Sequence, residues 1–282
     1  MALALSRTTF WKNTILVSSC LLLGLTTGCA DLKAIQDFAS ISAESAEYTQ
    51  LVDNYLTFPD RQKRYQASNR HQQLDQMARA RAEQKKALLL RHEMIEEYME
   101  ALGRLAADEI VDHTEEISKL SQAVQEGVGT GPEETKAFGK MASLLTKVAS
   151  NKWRQGKLQT LIEESNAPLQ VVLGTLQKIV NEGFRGDGQT EQAALRNYYT
   201  TIIMESNDPA GKAALKEWQE LRIAQSSERM EGIQTYSQLL QEISKGHQQL
   251  YDQRNDLNPQ VLRQLQKSVE EMRELLALVK TI

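Results

Sequence analysis

Apolar residues recur every three or four positions along most of this chain. Leu262, Leu265, Val269, Met272, Leu276 and Val279 follow that spacing, as do Ile233, Tyr236, Leu240, Ile243 and Leu250, with His247 in the same seam. A third row runs through Leu102, Ala106, Ile110, His113, Ile117, Leu120 and Val124, and Val171–Val180 is the most apolar stretch after residue 30. A period near 3.6 is that of a helix with one buried face. No sustained alternation with period two interrupts it, so the pattern predicts an all-α fold.

The five prolines divide the pattern. Gly131-Pro132-Glu133-Glu134 sets proline in a first turn with carboxylates behind it, and Asp208-Pro209 and Asn258-Pro259 each place a capping side chain before proline. Thr57-Phe58-Pro59-Asp60 and Ser165-Asn166-Ala167-Pro168 read as further breaks. The three glycines of Gly183–Gly188 read as a turn between helices. On this division residues 60–127 form one helix of about 100 Å, bendable at Gly103, and residues 210–255 one of about 70 Å. Helices that long pack as an elongated antiparallel bundle with coiled-coil-like segments.

The first 28 residues follow other rules. Met1–Asn13 holds Arg7 and Lys12 and no acid, and Thr14–Leu25 is a mostly apolar stretch of 12 residues. A bilayer span needs about 20, so this is the layout of a signal peptide. Leu25-Thr26-Thr27-Gly28-Cys29 follows, which resembles the lipobox of bacterial lipoprotein precursors, with Thr26 where Leu or Val is usual. The resemblance implies cleavage after Gly28 and lipid on Cys29, the only cofactor-like group expected. It also implies a membrane anchor, and Ala30 after the cysteine implies the outer membrane, facing the periplasm, in a Gram-negative host. In a host with one membrane the same signal implies the outer face of the plasma membrane. The remaining chain, 29–282, reads as a single helical domain.

Composition narrows the chemistry. The formal charge is −4, unlike the basic balance of most nucleic-acid binders. Both cysteines, Cys20 and Cys29, lie at the start, so the later chain has no thiol for a zinc site or a nucleophile. His71, His92 and His113 are 21 residues apart, about 31 Å along a helix, and cannot share a metal. His92 with Glu96, and Glu109 with His113, are one turn apart and are better read as surface or seam pairs than as metal ligands. Gly183–Thr190 has the outline of a phosphate-binding loop, but Gln189 stands in place of its lysine and a helical pattern precedes it. Glu93, Glu96, Glu97 and Glu100 read as a solvated helix face, and Trp153 and Trp218 as packing anchors. No catalytic residue and no metal ligand set is predicted.

Charge is polarised within the long segment. Arg61, Lys63, Arg64, Arg70, Arg79, Arg81, Lys85 and Lys86 face only Asp75 and Glu83 between residues 61 and 86. Residues 87–126 hold ten acids against Arg91, Arg104 and Lys119. The basic stretch either pairs with acidic helices of the bundle or forms a docking surface for anionic head groups, cell-wall polymer or an acidic partner. The function expected is that of a non-enzymatic envelope lipoprotein, a scaffold with an envelope protein partner. The alternative is a ligand-binding or membrane-perturbing bundle, such as a stress sensor or a toxin-like pore former. An enzyme or metal-binding bundle is third.

Overall fold

The computed structural model describes residues 28–112, 114–125 and 131–280, the side chains of 28–31 and 125 excepted. Among these residues the secondary structure is helical throughout, with no strand. The helices are α1 (Gly28–Ala46), α2 (Gln50–Lys63), α3 (His71–Ala106), α4 (Thr114–Gln125), α5 (Pro132–Ser150), α6 (Leu158–Lys178), α7 (Arg185–Glu205), α8 (Pro209–Asp252) and α9 (Pro259–Lys280). The all-α expectation holds.

Three long rods form the frame. With 36 residues α3 is about 54 Å long, and with 44 residues α8 is about 66 Å. The third rod is α6 and α7 joined by a π-helical turn at Ile179–Phe184. Side-chain bonds give the directions. Asn166 meets Gln248, and Gln177 meets the Ser237 carbonyl, so α6 runs antiparallel to α8. Tyr236 meets His92 and His247 meets Tyr98, so α3 and α8 run parallel.

The rods are unequally clothed. Around the C-terminal halves of α3 and α8 lie α1, α4, α5, α6 and α9, and the apolar core of Ile35, Phe38, Met94, Met99, Leu145 and Met272 sits there. We call this tier the base. Beyond it only α2 joins the first half of α3, α7 and the first half of α8. This second tier is an arm, ending in the α7–α8 hairpin.

Local chemistry explains the ends. Asp208 caps α8 by accepting from the amides of Ala210 and Gly211, and Asn258 caps α9 through Gln260 and Val261. Pro132, Pro209 and Pro259 stand in first turns, as the sequence predicts. Pro59 and Pro168 do not break the chain: they lie inside α2 and α6. Proline at 59 cannot supply an N–H to the Tyr55 carbonyl. An Nη1–H of Arg81 takes its place at 2.8 Å.

The expected 100 Å helix over residues 60–127 is broken twice. At the α2–α3 corner a His71 ring nitrogen reaches the carbonyls of Lys63 (3.1 Å) and Gln66 (3.2 Å), giving the end of α2 its missing donor. After α3, Asp108 adopts φ 58°, and the amide of Glu109 returns to the Arg104 carbonyl at 2.8 Å. This is the stop usually built on glycine. Lys152 (φ 47°) ends α5 in the same way. The expected seam is therefore interrupted after Ala106, with Ile110 exposed at 36%, and resumes in α4, where Ile117 and Leu120 are buried in the core. His113 lies outside the described residues.

Gly183–Gly188, expected as a turn, is continuous helix from the π-turn into α7. Gly188 and Gly246 are there for packing. A methyl at Gly246 would strike the Phe38 ring of α1, with Cζ only 2.8 Å away, and one at Gly188 would strike the flexible Met230 side chain. Gly139, exposed on α5, has open space around it. Gly246→Ala should cost about 1–3 kcal/mol, because Phe38 is fully enclosed and cannot yield. Gly139→Ala should gain about 0.5–1 kcal/mol from helix propensity, with Gly188→Ala between the two. Chemical denaturation of the three variants tests this ordering.

Candidate functional sites: polar clusters and exposed faces

Four places gather chemistry. The deepest is a hydrogen-bonded chain at the centre of the base. The Ser165 hydroxyl donates to the Tyr98 oxygen at 2.8 Å, and Tyr98 in turn meets Nε2 of His247. Nδ1 of His247 lies 2.9 Å from Oδ1 of Asn166, whose amide donates to Gln248, which donates to Asp252 at the surface. Because Asn166 Oδ1 only accepts, Nδ1 of His247 carries the proton and Nε2 accepts from Tyr98. Hydroxyl, imidazole and orienting amide are the parts of a nucleophile relay. Here Ser165, Tyr98 and His247 are each fully buried, so no substrate reaches them. The chain fixes the register of α3, α6 and α8.

Six residues earlier on α3, Nδ1–H of His92 donates to the Ala46 carbonyl at 3.0 Å and satisfies the C-terminal end of α1, while Nε2 is buried without a partner. The reading of His92 as a surface or seam pair with Glu96 thus resolves to the buried seam. Burial pushes His92 down to about 4 and His247 down to about 3. No group of three metal-ligating side chains occurs among the described residues.

The second place is the root of the arm. Arg81 makes a bidentate pair with Asp187 (2.7 and 2.8 Å) and lies over the rings of Tyr55 and Phe58 at 4.0 and 4.8 Å. Glu191 accepts from Arg61 at 3.0 Å and from Arg229 at 2.9 Å. Three guanidinium groups and two carboxylates thus join α2, α3, α7 and α8, with room beside them for about one water (≈ 20 Å³). A similar bidentate pair, Arg91–Glu134, at 2.8 Å, is buried between α3 and α5.

These pairs divide the predicted docking set. Arg61 and Arg81 are held inside the arm, Lys63 bonds Asp60 and Asp75, and Lys85 lies 3.6 Å from Asp53. Arg64, Arg70 and Arg79 are exposed and form no ion pair among the described residues, and Lys86 is also exposed. They share the arm with exposed apolar groups the sequence did not flag: Trp218 (56%), expected as a packing anchor, Leu221 (53%) and Tyr198 (39%). Tyr198 packs edge-on against Tyr65, whose hydroxyl also feels Arg222. Trp153, by contrast, is buried at the base. Gly28 and Cys29 fall in the first turn of α1, but the Cys29 side chain and residues 1–27 lie outside the described set.

The fourth place corrects the solvated glutamate face. Glu93, Glu96 and Glu100 are half-buried and Glu97 is buried, in a channel flanked by α1 and α4. Burial, reinforced by Glu47, Glu100, Glu97 and Glu93, pushes Glu96 up to about 7. Glu97 is pushed up to about 7 by burial and by Glu100, Glu116 and Glu93, against the pull of Arg104. An open groove of about 440 Å³ between α1 and α3 adjoins them, lined by Glu44, Glu47, Glu100 and Glu109.

No helix among the described residues is long and apolar enough to cross a membrane. The chain matches no family model, no curated protein and no solved structure.

The two sets of shifts oppose each other with pH. Folded Glu96 and Glu97 hold protons more tightly than the unfolded chain, so stability falls as pH rises from about 4.5 to about 7. The two histidines hold protons less tightly, so stability falls as pH drops from about 6.5 toward 4 and 3. Thermal melts should therefore peak between about pH 5 and 6.5. Glu96→Gln with Glu97→Gln should flatten the alkaline side and leave the acid side unchanged. A melt that rises steadily to pH 8 would contradict this balance.

Proposed function

We propose that this chain is a lipid-anchored envelope protein that works as a scaffold, its base toward the membrane and its arm presented to a protein partner. The observation carrying this reading is the N-terminal layout ending in Leu25–Cys29, combined with where α1 begins. Gln36 bonds the carbonyl of Ala106 at the end of α3, so α1 starts beside the base, at the end opposite the arm. In this reading the anchor is on Cys29 after cleavage at Gly28. The location is the outer membrane facing the periplasm, or the outer face of the plasma membrane in a single-membrane host.

The geometry favours a protein over the protein's own membrane as what the arm meets. From His71 to Ala106 is about 50 Å along α3. Surface charges are screened over about 8 Å at physiological ionic strength. Arg64 and Arg70 therefore do not feel the anchoring membrane while the rods stand upright. The arm exposes Trp218, Tyr198 and several arginines, the residue types that anchor protein interfaces.

Metabolic labelling with a clickable fatty acid tests the anchor. Wild type should take up label and sediment with membranes, whereas Cys29→Ser should lose the label and appear in the soluble fraction. Label and membrane attachment retained in Cys29→Ser would overturn the reading.

A further inference from the structure

A cleft of about 410 Å³ opens where the base meets the arm, between α3 and the π-helical turn that joins α6 to α7. That volume falls in the range of small-molecule sites, about 300–1,000 Å³. Its lining is mostly apolar, with Ala87 and Leu88 from α3, Ile179 from the π-turn and the Tyr55 ring from α2. Tyr55 is held in place by stacking on Phe184 at 4.9 Å and by the Arg81 guanidinium at 4.0 Å. π-turns inside long helices recur at functional sites. This one carries Gly183, which lines the cleft and where a side chain would meet open space.

The polar groups of the cleft fall into two sets. Those inside are already engaged: the Tyr55 hydroxyl donates to Gln84 at 2.8 Å, and the Thr175 hydroxyl to the Val171 carbonyl at 2.9 Å. Arg91, fully buried, directs its donors to Glu134 and to the Ala87 carbonyl. What the interior offers a ligand is therefore apolar surface. At the mouth stand Lys178 and Glu182, both exposed and neither in an ion pair among the described residues. They are four residues apart, but in the order Lys then Glu, the less favourable one for a pair within a helix, and the π-turn begins between them. A positive and a negative group thus sit one turn apart, each open to a ligand.

We infer that this cleft binds a single-chain amphiphile with a zwitterionic head, a phosphate meeting Lys178 and an ammonium group meeting Glu182 while the chain lies against Leu88, Ile179 and Tyr55. The charges select the head: an anion alone would also meet Glu182, and a cation alone Lys178. The length of the cleft selects the tail. From Gln84 to Arg91 it follows α3 for about 11 Å, room for part of one chain and not for a diacyl lipid. The site does not involve Cys29, so its failure leaves the anchoring result untouched.

Isothermal titration calorimetry tests this on the full chain carrying Cys29→Ser, which takes no lipid and needs no detergent. The probe is dodecylphosphocholine below its micelle-forming concentration. Laurate and dodecyltrimethylammonium serve as single-charge counterparts, and dihexanoylphosphatidylcholine carries the same head on two short chains. Dodecylphosphocholine should bind with a dissociation constant of about 10–100 μM, as suits a ligand of its size, and more tightly than any of the three. Gly183→Leu, which grows a side chain into the cleft, should weaken it at least about tenfold. Gly174→Leu, at an exposed open position of α6 outside the cleft, should leave it unchanged. Lys178→Gln should weaken dodecylphosphocholine about two- to fivefold, the worth of an exposed ion pair, and Glu182→Gln should tighten laurate by a similar factor. These two exposed positions carry the test if circular dichroism shows Gly183→Leu unfolded. The proposal is overturned if dodecylphosphocholine does not bind, if its binding ignores a folded Gly183→Leu or both mouth variants, or if the diacyl counterpart binds as tightly, which would mean that a membrane head-group layer is read instead.

Discussion

Tyr98 and His247 meet at the centre of the base, and the register of all three long rods depends on that meeting. Apolar seams on helices of this length can slide by a turn and still bury leucines against leucines. A directional chain from Ser165 through Tyr98 and His247 to Asn166 cannot slide, because every donor faces one acceptor. Breaking one link leaves a buried polar group unmet, at about 1–3 kcal/mol. His92 adds a second lock by closing the end of α1. These groups resemble catalytic parts in type and order, yet their enclosure makes them structural.

Above the base the balance of forces changes. The arm encloses fewer large apolar side chains, among them Phe58, Leu195 and Tyr199, and Arg81–Asp187 and Glu191 held between Arg61 and Arg229 tie its helices together. The same arginine that pairs with Asp187 supplies the donor Pro59 lacks, so the Tyr55 carbonyl of α2 is satisfied from α3. Using these arginines internally leaves a smaller outer set, Arg64, Arg70 and Arg79, on an arm that also exposes Trp218, Leu221 and Tyr198. The protein thus has a sealed lower tier and an upper tier rich in exposed groups suited to partners.

Much of the fold was legible in the sequence where the determinants are local. The seams of α8 and α9, the caps Asp208 and Asn258, and the prolines after them need only neighbouring residues to be read. Where partners are distant in sequence, local reading failed. Pro59 looked like a break because its compensating donor is Arg81. Gly188 looked like a turn because Met230, which packs against it, lies on another helix. Asp108 and Lys152 stop their helices in a conformation usually given to glycine, so no glycine marked them. The glutamates of α3 looked solvated because α1 and α4, which cover them, are recognisable as neighbours only once the chain is folded. Of the sites, His247 showed as a polar residue in an apolar seam, while Ser165 and Asn166 were hidden inside what looked like a loop.

One continuous helix, α8, belongs to two tiers held by different forces. Native-state hydrogen exchange on wild type and on Glu191→Gln measures this directly. Amides over residues 213–230 should open at lower free energy than those over 233–250. Glu191→Gln should lower the protection of the first group by about 1–3 kcal/mol, through the unpaired guanidinium groups it leaves, while the second is unchanged. Equal protection along the whole of α8, or a loss shared equally by both halves, would contradict it.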